Sequence, residues 1–334
     1  MTTARGHVDY GYGPTNGPHT WCLTCHAAAG ARQSPINIIR HNCIYDSKLS
    51  PLRLFVFHNS TQLFTRKKHN FQVSFKSSNG ELLTRATPDV FEFYHTQNLD
   101  LYFSPDSATA IEGGPLKGKY NLQQFHCHWG CEDEWGSEHH VDGHSFAGEL
   151  HLVFMSEKYS TMDQAVKDSE GLCVIGVFLK ADHVECEAMR PLISAIKSSK
   201  PSCEQPIADE IDLHSLIPSM DHYFTYEGSL TTPPCAECVR WIVCAEPLKL
   251  SKDQLAAMRS MHSCESCNTT DNFRPPLPVG KRQRVFTSSP VQLTCHLRLF
   301  DRLASLPHPT SPEAKDFSVK FLHAHTPPCK MHKK

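Results

Sequence analysis

Short apolar runs, separated by Gly, Pro, Asn and Ser, make up most of the chain. Runs of this kind, bounded by turn-forming residues, are typical of β-strands, whereas helices need longer segments with apolar residues three or four positions apart. The pattern predicts strands that include Leu52–His58, Phe71–Phe75, Val90–Tyr94, Leu122–Trp129, Glu149–Met155, Cys173–Leu179 and Val239–Ala245.

Helical spacing is limited to a few segments of the sequence. Met162–Asp168 is short, Glu185–Ser198 is interrupted early by Pro191, and Ser251–His262 begins with a serine that suits a helix cap. No internal repeat or low-complexity segment is visible. These patterns together predict a β-dominated α+β domain with short peripheral helices.

Charge and composition exclude several classes of partner. The 334 residues carry a formal net charge of −2, so no strong field would attract nucleic acid or an anionic membrane. No run of 18 apolar residues is present, so we expect no membrane span. The first residues lack the apolar segment of a secretory signal, which predicts a cytoplasmic protein; secretion is the alternative if the N-terminus is incomplete.

Fifteen cysteines leave more than one interpretation open. Three CxxC pairs occur, namely Cys22/Cys25, Cys235/Cys238 and Cys264/Cys267. Two such pairs could form a structural zinc site, and a secreted protein could use them as disulfides. An odd count without an export signal favours mostly reduced thiols.

The strongest chemical signal is a group of three histidines in predicted strands. His126 and His128 are two residues apart, so in a strand both side chains point to the same face. A neighbouring strand that carries His151 can bring a third imidazole to the same place. Three imidazoles with no fourth protein ligand are the donor set of an open, catalytic zinc site.

Polar residues two positions before the histidines strengthen this interpretation. Gln124 precedes His126, and Glu149 precedes His151. The period of two places each on the face of its histidine, where it can accept a ring N–H and leave the other ring nitrogen free for a metal. An isolated HxH is common in a chain with 22 histidines, but the combined pattern is much more specific.

With these motifs the chain resembles the α-class carbonic anhydrases over roughly residues 9 to 287. The order and spacing of the matching segments follow the family throughout. The segments begin at Tyr10 (YGYG), Asn16 (NGP), Arg32 (RQSPINI), Gly113 (GGPL), Gln124 (QFHCHWG), Gly136 (GSEHHVD), Gly148 (GELHLV), Gly228 (GSLTTPP), Trp241 (WIV) and Asn272 (NFRP).

The resemblance implies the fold and the domain organisation. It implies a large, twisted, mostly antiparallel central sheet with a zinc ion in a conical cleft, in a catalytic domain that spans residues 1–287. Residues 288–334 lie beyond the family pattern, contain no motif, and are expected to form a flexible C-terminal extension.

The resemblance also implies an activity, the reversible hydration of CO₂ to bicarbonate and a proton by zinc hydroxide, with a role in pH regulation. Thr231 matches the family's gate residue, whose hydroxyl would donate to Glu138 and filter anions. His69 matches the position that shuttles protons to solvent, and Tyr12 matches a residue that orders water in the cleft. The expected apolar substrate pocket consists of Val153, Val174, Leu230, Thr232 and Trp241.

Further expectations follow from the family. Sulfonamide-type inhibitors are expected to bind, and the protein is expected to be a monomer. Some extracellular members join a cysteine after the TTPP motif to one near the N-terminus; Cys235 fits the first position, but only Cys25, three residues from the second, is at hand. A non-catalytic binding module on the same scaffold is the alternative function, and the intact histidines, Thr231 and Glu138 count against it.

Overall fold

The computed structural model describes residues 10–58, 60–77, 102–103, 108–200, 204–261, 271–280 and 284–288. All of them belong to the first of the two units into which the chain divides, Met1–Pro290. The predicted strand Val90–Tyr94 and nearly all of the predicted extension 288–334 lie outside the described residues. The domain boundary after residue 287 therefore stays a prediction.

The described residues are mostly strands with a few short helices, which confirms the predicted fold class. In chain order the strands are β1 (Asn37–Ile38), β2 (Ile44–Tyr45), β3 (Leu52–Val56), β4 (Ser60–Arg66), β5 (Phe71–Ser77), β6 (Tyr102–Phe103), β7 (Ala110–Gly113), β8 (Tyr120–Trp129), β9 (His140–Val141), β10 (Gly148–Ser156), β11 (Leu172–Asp182), β12 (Glu204–Pro206), β13 (Tyr223–Gly228), β14 (Val239–Cys244), β15 (Leu248–Ser251) and β16 (Phe286–Thr287). The α-helices are α1 (Trp21–Thr24), α2 (Met162–Ala165), α3 (Arg190–Ser198) and α4 (Lys252–Arg259), and 3₁₀ turns lie at His26–Ala29, Arg40–Asn42 and Glu187–Met189.

In the part of the chain that the structure describes, one open sheet of 14 strands carries the fold. Its main path runs β12-β4-β5-β8-β10-β11-β14-β13-β16-β2, and β3, β6, β7 and β15 attach beside it. Most ladders are antiparallel, as the resemblance implied, but β11 pairs in parallel with both β14 and β15. The sheet is therefore mixed. Strands β1 and β9 form a separate parallel pair.

Strand β10 lies at the centre of this sheet, and all nine of its residues are buried. Leu150, Leu152 and Phe154 point into the larger apolar cluster, which also contains side chains of α3 and α4. The alternate residues, among them Val153 and Met155, face a second cluster on the opposite side. Truncating a fully buried residue such as Phe154 to Ala is expected to cost about 3–5 kcal/mol, because the cavity would be closed on every side.

Two helix predictions differ in outcome. The segment Glu185–Ser198, expected to be interrupted early by Pro191, forms an α-helix only in its second part. Glu187–Met189 is a 3₁₀ turn, and α3 begins at Arg190 with Pro191 in its first turn, where a missing N–H is tolerated. The serine cap of α4 is confirmed, since Ser251 Oγ accepts from Gln254 N at 3.3 Å and Gln254 Oε1 accepts from Ser251 N at 3.1 Å. No helix in the described ranges has the length and apolar character to cross a membrane.

Candidate metal centre

The register between two neighbouring strands brings the three histidines together. In the antiparallel pair of β8 and β10, His151 lies opposite His126, and Glu149 lies opposite His128. Ligand nitrogens of His126, His128 and His151 all lie within 4.8 Å of one another. The group sits on the face of the sheet turned away from the larger apolar cluster. His128 and His151 are buried, and His126 is more exposed.

Each imidazole has one nitrogen paired with an acceptor. His126 Nδ1 donates to Gln124 Oε1 at 2.9 Å, and His151 Nε2 donates to Glu149 Oε1 at 2.9 Å. These pairs fix the tautomers, so His126 Nε2 and His151 Nδ1 keep their lone pairs free. The structure thus places the two predicted acceptors beside their histidines.

The acceptor for His128 was not foreseen from the sequence. His128 Nδ1 donates to the main-chain carbonyl of Asn272 at 2.7 Å. Its Nε2 is buried and has no hydrogen-bond partner among the described residues. An unpaired buried nitrogen is costly unless something binds it, so this atom points to a ligand at the centre of the group.

These nitrogens suit a zinc ion. Burial lowers the pKa of His126 well below its ordinary value, and the neighbouring imidazoles lower it further. Burial also lowers the pKa of His128, against the opposing effect of Glu138. Neutral imidazoles are the form that binds a metal, and three of them with an open fourth position match the donor set of catalytic zinc.

A second close group of titratable side chains, formed by His139, Glu149 and His151, serves a different purpose. His139 Nδ1 lies 2.7 Å from Glu149 Oε1, His139 N donates to Glu149 Oε2 at 2.7 Å, and the other ring nitrogen pairs with Tyr226 Oη at 2.6 Å. Burial alone would raise the pKa of Glu149, but His139 and His151 together hold it well below its ordinary value. The ionised carboxylate of Glu149 therefore orients the His151 ring and is not part of a second ion site.

The close approach of Glu149 to strand β11 explains the glycine at position 176. Gly176 lies opposite His151 on β11, and a Cβ there would come within 2.8 Å of Glu149 Oε1. No pattern in the sequence indicated a role for His139, Tyr226 or Gly176. His139 did lie in a family motif, which was the only signal for it.

Glu138 is fully buried beside the histidines. Its Oε1 accepts the main-chain N–H of Arg274 at 2.8 Å and lies 3.5 Å from His128 Nδ1. Its Oε2 has no hydrogen-bond partner in the part of the chain that the structure describes. The carboxylate therefore keeps one acceptor available at the site.

Thr231 and Thr232 lie in the loop that follows β13. Cys235 N donates to Thr232 O at 2.9 Å, and Leu230 N donates to Ala236 O at 3.0 Å, which closes the loop on itself. Ser229 anchors its start, because Ser229 Oγ accepts from Ser34 N at 2.9 Å. Thr231 is buried, and Thr232 is partly exposed. The loop is held from several directions and can present Thr231 in a defined place.

The apolar residues expected to form the substrate pocket share one cluster. Val153, Val174 and Trp241 are buried members of the second cluster, and Leu230 packs against it. The Trp241 ring lies edge-on to His151, with ring centroids 4.9 Å apart. An apolar surface therefore adjoins the histidine group.

His69 lies at the tip of the hairpin between β4 and β5, where Lys67 N donates to Asn70 O at 2.7 Å. Its Nε2 lies 2.9 Å from the carbonyl oxygen of Tyr10. Its ring centroid is 5.6 Å from that of Tyr12 and 5.7 Å from that of Tyr10. Tyr10, which the sequence marks only as the first residue of a family motif, therefore lies beside His69 together with Tyr12.

The cysteines form no disulfide between Cys25 and Cys235. Both are free thiols, buried in a small cluster with Trp21, and Cys25 Sγ donates to the carbonyl of Pro234 at 2.9 Å. Among the described residues, the side-chain groups close enough to hold a metal contain no cysteine. The pair Cys264/Cys267 lies outside the described residues.

Comparison with known proteins agrees with this geometry. The family described as eukaryotic-type carbonic anhydrase matches residues 16–289. Carbonic anhydrase 7 of Mus musculus is 39% identical over 289 residues, which cover 83% of this chain and 96% of that protein. Carbonic anhydrase 3 of Homo sapiens is 33% identical over 278 residues, covering 82% and 96%, and carbonic anhydrase 1 of Mus musculus is 34% identical over 280 residues, covering 82% and 97%. The chain therefore belongs to the eukaryotic-type carbonic anhydrase family.

Proposed function

We propose that this carbonic anhydrase interconverts CO₂ and bicarbonate at a zinc ion held by His126 Nε2, His128 Nε2 and His151 Nδ1. One observation carries the proposal: the three ligand nitrogens lie within 4.8 Å of one another, while the other nitrogen of each ring is paired with an acceptor. Zinc bound there would supply an activated water whose pKa is about 7, the value known for carbonic anhydrase itself.

The chain's own residues would orient the ligands. Gln124, Glu149 and the Asn272 carbonyl hold the three rings in the required tautomers, which lowers the cost of ordering them when the metal binds. The ionised Glu149 also makes His151 a better electron donor. Because His139 occupies both oxygens of Glu149, the carboxylate cannot turn to bind the metal in place of the imidazole.

Thr231 and Glu138 would act as the gate. The free acceptor Oε2 of Glu138 suits the hydroxyl proton of Thr231. If that proton is donated to Glu138, the Thr231 oxygen can only accept, so it favours a group at the open position that carries a proton of its own. Val153, Val174, Leu230 and Trp241 would offer CO₂ an apolar surface beside it. Thr232, partly exposed in the same loop as Thr231, is assigned to this pocket from the family resemblance.

His69 would move the released proton toward solvent. Histidine suits this task because its ordinary pKa is close to neutral, so it both takes up and releases a proton readily. The His69 ring is hydrogen-bonded to the Tyr10 carbonyl through Nε2. It would carry protons by rotating about the side-chain torsions of His69. Tyr12, in contact with the ring, would order the intervening water.

Metal content and CO₂ hydration rate, measured on the same purified protein, test the proposal. We expect one zinc per chain in the parent and loss of both zinc and activity in His151→Ala. His183→Ala, which removes an exposed histidine, is the matched control and should behave like the parent. Full zinc occupancy in the variant His126→Ala/His128→Ala/His151→Ala would contradict the site, and zinc without hydration would favour the non-catalytic binding module.

The remaining properties are proposals from the family resemblance. Sulfonamide-type inhibitors would bind at the open position, and the protein would act as a monomer in the cytoplasm. Inhibition by a simple aromatic sulfonamide and a sedimentation measurement would test the first two.

A further inference from the structure

Asn272 connects the strand of the metal ligands to the hairpin that carries His69. Its side chain is buried, with 1% of its surface exposed. Asn272 Oδ1 accepts from Trp129 N at 2.7 Å, at the end of β8, and Asn272 Nδ2 donates to the main-chain carbonyl of His69 at 2.7 Å. Only one orientation of the amide satisfies both groups, because oxygen must face the N–H and nitrogen must face the carbonyl.

The hydrogen bond from Asn272 Nδ2 to the His69 carbonyl matters because it reaches the tip of the hairpin between β4 and β5. Strands β5 and β8 pair at Val73 with Phe125 and at Ser74 with Gln124. His69 lies four residues before Val73, at the tip of the hairpin. Hairpin tips move more than the strands behind them, and the carbonyl of His69 is where Asn272 reaches this tip.

We propose that the side-chain amide of Asn272 is a positioning residue for proton transfer, acting through the main chain of His69. This role is separate from that of the Asn272 carbonyl, which orients His128 and which any residue at this position would supply. The inference rests on the proposed function of His69 as the proton carrier. Asn272 begins the NFRP motif, and the motif alone indicates no task for its side chain.

Asn272→Asp is the informative variant. Its retained oxygen can still accept from Trp129 N, but its second oxygen faces the His69 carbonyl, where two acceptors repel. We expect CO₂ hydration in dilute buffer to slow by roughly three- to tenfold, the range that loss of one hydrogen bond supports. Imidazole buffer should restore the rate. Zinc content, and the exchange of isotope between CO₂ and bicarbonate at equilibrium, should match the parent.

A double-mutant cycle with His69→Ala separates positioning from general loosening of the fold. If Asn272 acts through His69, then Asn272→Asp in the His69→Ala background should change the dilute-buffer rate by less than about twofold. Asp271→Ala is the matched control, because Asp271 Oδ1 accepts from Cys131 N at 3.0 Å on the same segment. That variant should keep the parental rate in dilute buffer.

Each other result would overturn a specific statement. A parental rate for Asn272→Asp in dilute buffer, with a slow His69→Ala, would overturn the positioning role and leave the proposed shuttle intact. Loss of zinc or of isotope exchange in Asn272→Asp would show that the amide serves the metal ligands instead. A parental rate for His69→Ala would refute the shuttle itself. If Asn272→Asp does not fold, Asn272→Ala takes its place in the same cycle.

Discussion

The carboxylate of Glu138 accepts the main-chain N–H of Arg274 at 2.8 Å through Oε1, while its buried Oε2 has no hydrogen-bond partner among the described residues. The bond to Arg274 holds one oxygen of the carboxylate, and Oε2 lies 3.9 Å from His151 Nδ1. In the proposed gate, Oε2 would accept a hydrogen bond from the Thr231 hydroxyl.

Removing the hydroxyl of Thr231, the proposed gate residue, is expected to slow the reaction without loss of metal. Thr231→Ala should retain zinc and lose roughly a hundredfold in CO₂ hydration rate, the usual effect of deleting one oriented hydrogen-bonding group in an active site. Thr231→Ser keeps the hydroxyl and is the control. Stopped-flow measurement of the hydration rate together with zinc analysis tests the prediction. An unchanged rate in Thr231→Ala would show that Thr231 serves only the structure of its loop.

Glu149 should control the affinity for zinc. Glu149→Gln removes the negative charge and places an NH₂ group at one of the two oxygen positions. At Oε1 it would face the ring N–H groups of His139 and His151, and at Oε2 it would face the main-chain N–H of His139, so one orientation or the other loses a hydrogen bond. We expect zinc to bind 10- to 100-fold more weakly, by analogy with other groups that orient metal ligands. Competition with a chromogenic chelator measures this. Glu157→Gln, at an exposed position just after β10, should leave the affinity unchanged.

The proton route can be tested separately from the chemistry at the metal. His69→Ala should slow hydration when buffer is scarce, and added imidazole should restore the rate, since a small base replaces the missing carrier. Isotope exchange at equilibrium should be unaffected. His41→Ala, which removes an exposed histidine, is the comparison. If His69→Ala and His41→Ala hydrate CO₂ at the same rate in dilute buffer, the proton leaves by a route that does not include His69.

The cysteines should differ widely in reactivity. Burial raises the pKa of Cys235 and of Cys238 to about 12, so very little thiolate is present at pH 8, whereas Cys22 is exposed. Brief alkylation of the folded protein followed by peptide mass spectrometry should find Cys22 modified and the other two intact. Alkylation in denaturant should modify all three. Rapid modification of Cys235 in the folded protein would contradict the structure.

Acid should remove the contribution of two ion pairs that Asp133 forms near the end of β8. Asp133 contacts Arg259 and Lys252, whose bonds and charges outweigh the effect of burial and lower the pKa of its carboxyl group. A lowered folded-state pKa means that the stabilisation is complete above the ordinary value of 3.8 and is lost as the pH falls below it.

We therefore expect Asp133→Asn to reduce the free energy of unfolding by about 1 kcal/mol at pH 7, and by progressively less as the pH is lowered from 5 toward 3. Urea unfolding of the metal-free proteins measures the difference, with the exposed Asp209→Asn as the control. A difference that stayed constant over this range would show that the carboxylate charge is not the cause.

The sequence by itself determined those features that depend on local periodicity. The alternation of a strand places His126 and His128 on one face with Gln124 below them, and the structure has this arrangement. The same rule pairs Glu149 with His151. The capping box of α4 follows from Ser251 and Gln254 alone. In each case the interacting groups lie within four residues of one another, so chain geometry dictates the contact.

The tertiary structure decided how these local pieces meet. The register of β8 against β10 sets His151 opposite His126, and a strand sequence does not state its register with a partner. The acceptor for His128 is the Asn272 carbonyl and the donor to Glu138 is the Arg274 N–H. Main-chain groups are the same in nearly every residue, so no side-chain pattern marks them. They acquire a role only when folding brings them into contact with partners that lie 144 and 136 residues away along the chain.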